Sequence, residues 1–232
     1  MASLGAGQDG IVRIRRTVQA AGSVATAVLV SMLLAACGGS SSSTTSTTTT
    51  TVLHSQPATA IWPYYGSAAR YHSGVAAARG FAVGMLGMVD PTVGMYHSQS
   101  STTGYVDVAP SVVATPTTVR VALIANSWWA TAASTSNIVV TVPVAMQLVT
   151  SPIALRGSAL AYEGVINVSL YVDGGPMPIA VTTVLGGGDQ LRPFSGSLSF
   201  TSTKASYGTL MFYAKSAKDG STSSATAFRV RY

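Results

Sequence analysis

The chain has 232 residues, with 13 basic and 7 acidic side chains, a net charge of +6 and a single cysteine. Charged residues are only 9% of the total, low against the usual quarter, and the basic residues form no run interleaved with aromatics. That excludes nucleic-acid binding as a leading reading, while one thiol permits neither an internal disulfide nor a cysteine metal site.

Arg13, Arg15 and Arg16 precede an uncharged, mostly apolar stretch from Val18 to Ala36. A basic head, a short apolar run and small residues before a cut are the parts of a secretory signal, so residues 1–36 are expected to be a signal peptide. The cut site Leu34-Ala35-Ala36-Cys37 resembles the lipobox of bacterial lipoproteins. Small side chains at Ala35 and Ala36 let an extended backbone enter a narrow protease cleft. The Cys37 thiol is the nucleophile that can carry a diacylglycerol thioether, and further acylation with chains such as palmitate makes a durable anchor. A spanning helix needs about 20 strongly apolar residues, whereas Gln19, Gly22, Ser23, Thr26 and Ser31 dilute this stretch. The expected location is therefore the extracytoplasmic face of a membrane.

Residues 37–56 read as the lipidated cysteine and a disordered Ser/Thr-rich tether. Gly38 to Thr51 is Gly, Ser and Thr only, with nothing to enter a core; as a flexible coil it spans on the order of 20 Å. A small α+β unit is expected over 57–144. In "AAARGFAVGMLGM", Ala78, Phe81, Ala82, Met85 and Leu86 recur on one helical face. Gly80 and Gly84 lower its propensity but permit close approach of a partner, and Gly87 is a natural stop. Four strand-like runs follow, "GYVDVAPSVV", "TTVRVALIA", "WWATAA" and "NIVVTVPV". A helix with such strands is similar in pattern to the small cone-shaped domains of the nuclear-transport-factor kind.

From 145 to 232 the alternation is cleaner. Ile166, Val168, Leu170 and Val172 make a one-sided row ending at the hairpin signal Asp173-Gly174-Gly175. Phe194, Gly196, Leu198 and Phe200 alternate with Ser and Thr, Leu210 and Phe212 with Met211 and Tyr213, and Phe228, Val230 and Tyr232 with Arg229 and Arg231. Lys218-Asp219-Gly220 turns the chain into the last strand. Many short strands with turn signals between them predict an antiparallel sandwich, so the chain as a whole is expected to be mainly β.

"LVTSPIALRGSALAYEGVINVSLYVDG", "RPFSGSLSF" and "GTLMFYAKSAKDGS" resemble, in order and spacing, the immunoglobulin-like domain of bacterial spore germination proteins. "ATAIWPYY", the helix and "VDPTVG" are similar to a domain found ahead of it in lipoproteins of GC-rich bacteria. Ser, Thr and Ala stand here where such leading domains carry charges, so no charged site is carried over. The resemblance implies a non-catalytic envelope module that binds or scaffolds.

Tyr162-Glu163 is the most family-like polar position: as function Glu163 would face a partner cation, whereas in the structural role, the one expected, it accepts backbone N–H groups or pairs with Arg156 or Lys215. His54, His72 and His97 lack metal-ligand spacing, so no metal is expected. No nucleophile elbow or phosphate loop occurs, and no catalytic residue or cofactor is assigned; "LGGGDQ" at 185–190 reads as a hairpin loop. Trp128-Trp129 is the candidate binding surface together with Tyr64 and Tyr65, since neighbouring strand residues point to opposite faces and one indole should stay accessible. The alternative is that these aromatics fill a core. The expected function is an exported, lipid-anchored module that recognises another envelope component, a protein first, a carbohydrate or peptidoglycan second. A small-ligand carrier or enzyme in the leading unit would require a concave pocket under the helix.

Overall fold

The computed structural model describes residues 56–232 except Tyr65, Gly174 and Ser202. The expected signal peptide, Leu34, Ala35, Ala36, Cys37 and all of the tether but its last residue lie outside the described residues. The described part belongs to one compact unit. It is mainly β, with one α-helix, α1 (Gly74–Gly84), and eleven strands. These are β1 (Thr92–Ser98), β2 (Thr103–Ala109), β3 (Thr117–Ile124), β4 (Ser127–Ser134), β5 (Ile138–Val142), β6 (Ile153–Ala159), β7 (Val165–Val172), β8 (Ala180–Leu185), β9 (Arg192–Leu198), β10 (Tyr207–Lys215) and β11 (Thr222–Arg231).

The strands form two sheets, one ordered β1-β2-β3-β4-β11-β10-β7-β8 and one ordered β5-β6-β9. Every strand pairing within them is antiparallel. The sandwich is the stack of β11, β10, β7 and β8 on β5, β6 and β9. Its core is the one-sided rows read from the sequence: Ile166, Val168, Leu170, Leu210, Phe212 and Val230 are all fully buried. Burying a side chain of this size contributes about 1.5–3 kcal/mol. Phe212 stacks between Phe194 and Phe228 at centroid distances of 5.9 and 6.2 Å.

The run "NIVVTVPV" sits differently from expectation. Its place in the sequence puts it in the leading unit, but β5 pairs with β6 and supplies the third strand of the small sheet. Ile138 is 1% exposed in the sandwich core, and its carbonyl accepts from Thr226 Oγ1 at 2.6 Å. A polar Ser-Thr-Ser stretch before Asn137 gives the chain room to leave the large sheet and enter the small one. The loop around "LGGGDQ" is likewise no hairpin, because β8 and β9 belong to different sheets. Gly187 turns it with φ of 94°, packed so tightly on Ala159 that a side chain would collide with its carbonyl.

In the leading part, Ser73 caps α1, its hydroxyl accepting from the Ala76 N–H at 3.1 Å. Ala78, Phe81 and Ala82 are fully buried, as their spacing predicts. The glycines act as expected: a Cβ on Gly84 would strike the Trp62 ring, and one on Gly80 the Tyr71 ring. Gly87, at φ 67°, ends the helix, and Met88 returns its N–H to Ala82. The helix lies on the sheet formed by β1 to β4; β1 was not read from the sequence, since "TVGMYHS" has little apolar alternation.

Strand β11 joins the two parts. One face presents Phe228 and Val230 to the sandwich core, and the other presents Ala225 and Ala227 to the core under α1. Ala227 pairs with Ala133 of β4, and Thr117 Oγ1 accepts from the Ala225 N–H at 3.1 Å. Burial on both faces has a consequence for Arg229, which periodicity places outside. It is 3% exposed. Two of its N–H groups donate to the two Asp173 oxygens at 2.7 Å each, Nε donates to the Ala58 carbonyl at 3.0 Å, and a fourth contact reaches Thr209 Oγ1 at 3.2 Å. The Tyr207 ring lies 5.5 Å away.

Removing one partner of a buried ion pair leaves a charge with no counterion. Arg229→Met is expected to destabilise the chain by about 3–5 kcal/mol, and Asp173→Asn by a comparable amount. Arg229→Met combined with Asp173→Asn should cost less than the sum of the two single losses, as read from the urea midpoint.

Tyr232 stands beside this pair with its hydroxyl buried and unpartnered among the described residues. Burial pushes its phenol well above the usual tyrosine range, the Asp173 charge adding to this and the Arg229 charge opposing it. A group whose folded pKa is raised stabilises below its unfolded value, near 10, and loses that contribution as pH climbs past it. Tyr232→Phe should therefore hold or raise the melting temperature at pH 7, and it should flatten the loss of stability above pH 10.

Candidate functional site

The ends of the sandwich differ in character. At one end the described chain begins, with the Ala58 carbonyl fixed to Arg229. At the other, β10 runs out at Lys215 and β7 starts at Val165. Nine residues of β10 separate the two, about 26 Å at the rise of an extended strand.

The far end carries two adjoining grooves of about 560 and 370 Å³ that share Tyr162, Lys215, Ser216 and Ala217. Tyr162 stands on the ridge between them, 65% exposed. It lies in a single 3-10 turn, Tyr162–Gly164, held by the Ala161 carbonyl, which accepts from the N–H groups of Gly164 and Gly188. Glu163 takes φ of 56° there, a left-handed conformation uncommon outside glycine. Glu163 is exposed, and none of Arg156, Lys215 or any backbone donor among the described residues bonds to it, contrary to the structural role expected for it.

The opposite wall is the turn between β10 and β11, and it is ordered internally. The Ser216 N–H donates to the Ser221 carbonyl, and the Gly220 N–H to the Ser216 carbonyl. Asp219 accepts from the Ser221 hydroxyl at 2.7 Å and the Ser221 N–H at 3.0 Å, and these bonds hold its carboxyl below the usual range. Lys215 and Lys218 remain exposed and without ion-pair partners among the described residues. The groove thus sets one free carboxylate and two free ammonium groups around an accessible phenol.

The expected aromatic surface has a different fate. Trp129 is 5% exposed and donates its indole N–H to the Ile124 carbonyl at 3.3 Å. Trp128 is half-buried edge-on against Tyr96, at a centroid distance of 5.4 Å. Tyr64 packs edge-on against the buried Trp62 at 5.6 Å, and Trp62 donates to the Tyr71 hydroxyl. No ring contact joins these pairs among the described residues, and Tyr65 lies outside them. His97 is exposed and stacks on Tyr105, His72 is exposed, and His54 lies outside the described residues. No group of three metal-ligating side chains converges among the described residues.

A cleft at the end of α1, lined by Trp62, Tyr64, Met85, Tyr171 and Asp173, encloses about 60 Å³. That accommodates a few waters, whereas small-molecule sites run to about 300–1,000 Å³. No described helix is long and apolar enough to cross a membrane.

The groove is not legible along the chain. Its walls come from the segments around 111, 137, 162 and 216, which only the pairing of β7, β10 and β11 brings together; the Tyr162-Glu163 pair was its sole legible sign.

No curated protein and no solved structure matches the chain. Residues 137–221, which hold Tyr162, the turn after β10 and all but the last strand of the sandwich, match the family profile described as the immunoglobulin-like domain of bacterial spore germination, Gmad2; the groove also takes Pro110, Ser111, Ser223 and Ser224 from outside them. This immunoglobulin-like fold is not known as a catalytic one. The C-terminal part of the chain is therefore an immunoglobulin-like domain of the bacterial spore germination family.

Proposed function

We propose that this protein is a cell-envelope lipoprotein that binds another envelope protein through the groove at Tyr162. In this reading the chain is cleaved after Ala36, acylated at Cys37 and held on the extracytoplasmic face of the membrane by the Ser/Thr tether. It has no cofactor and carries out no chemistry. The observation that carries the reading is the groove itself, opposite the end at which the described chain begins. Exposed Tyr ringed by charges of both signs suits a polypeptide partner, because tyrosine buries a large area with few rotors and mixed charges fix register. A glycan partner is the second reading, favoured by the hydroxyls of Ser216 and Ser223 beside the ring.

Two measurements test this. A photocrosslinking amino acid at position 162 in intact cells should give one discrete protein adduct, and Tyr162→Ala should weaken the isolated interaction by about 2 kcal/mol or more, near 30-fold. Adducts with peptidoglycan alone would favour the glycan reading, and none with either would reject the groove. Cys37→Ala should move the protein from the membrane fraction to the soluble one; unchanged fractionation would reject the lipid anchor.

A further inference from the structure

Two sheets leave four edge strands, and exposed edges invite pairing unless something blunts them. Strand β1 has a register break between Val93 and Tyr96. Strand β5 breaks between Val140 and Val142 and is followed by Pro143. Strand β9 carries Arg192, Pro193 and Gly196. Strand β8, "AVTTVL", has none of these devices: its register on β7 is continuous from Ala180 to Leu185, with no charge, proline or glycine.

Its outer side is apolar. Val181 is 66% exposed and Leu185 73%, with Met177 and Ile179 exposed just before them. The same positions carry the free backbone groups. Just past the strand, Gly186 donates its N–H to the Gly164 carbonyl, so the even-numbered residues are the ones bonded to β7. Val181, Thr183 and Leu185 then direct N–H and C=O away from it. No described group bonds to them.

We propose that β8 pairs antiparallel with β8 of a second copy of this chain, forming a two-fold symmetric dimer through a continuous sheet. The sequence of the strand selects that occupant. A two-fold axis at Thr183 sets Thr183 opposite itself and Val181 opposite Leu185 on the outer face, twice over. Each outward N–H meets an outward C=O, giving six bonds between copies, and each apolar side chain meets an apolar side chain. A two-fold axis normal to the sheet keeps each outer face outward, so no inward residue is exposed. One short strand buries less than a standard interface, so the dimer dissociates on dilution.

The test uses the chain with Cys37→Ala, in which an introduced thiol is the only one. Thr183→Cys places two thiols on facing residues with Cα atoms about 5.5 Å apart, within disulfide reach, and mild oxidation should link the chain into dimers. Thr182→Cys, which points inward, should not link. Without a thiol, sedimentation should show mass rising from one to two chains with concentration. Val181→Lys with Leu185→Lys should raise the midpoint at least tenfold at unchanged melting temperature. A monomer at every concentration, equal linking of both cysteine variants, or association indifferent to the lysines would each overturn the proposal.

Discussion

The buried pairing of Arg229 with Asp173 is the constraint around which the described structure is arranged. A guanidinium removed from water must have its donors met and its charge matched. Here Asp173 closes the end of β7, Thr209 and Tyr207 come from β10, and the Ala58 carbonyl comes from the start of the described chain. Segments separated by up to 171 positions are held at one point. Asp173 sits where sequence marks only a turn, and its charge settles where that turn can lie.

The reason Arg229 is buried lies one level higher. Strand β11 is central in the large sheet, with β10 along one side and β4 beside Ala227 on the other. One side of that sheet closes the sandwich, and the other receives the core under α1. A strand covered on both sides has no solvent face on which a charge can sit, so the polar member of the alternation must be paired inside. Met211 of β10 follows the same logic at 3% exposed.

This arrangement also divides labour between the ends of the molecule. The ion pair and the first described residues occupy one end, and the turns that join β10 to β11 and lead into β7 occupy the other. Turns tolerate exposed charge and unusual backbone angles, which is why Glu163 and the two lysines can remain unpaired there. The proposed docking groove and the proposed dimer edge lie on different parts of the sandwich, one built from turns and one from a strand's free backbone.

Much of the architecture was legible along the chain. The rows Ile166 to Leu170 and Leu210 to Phe212 and the face Ala78 to Ala82 follow from a period of 2 or 3.6, because local geometry converts periodicity directly into burial; the family came from the resemblance of whole segments. The run Leu34 to Cys37, which resembles a lipobox, falls outside the described residues. Tertiary structure decided what periodicity cannot encode: which sheet β5 joins, and that β11 is covered twice, which sends Arg229 inside. It also decided that Trp128 and Trp129 pack against Tyr96 and the Ile124 carbonyl while Tyr162 stays open. An alternating strand specifies that its faces differ, but the partner each face meets is fixed only when distant segments pair.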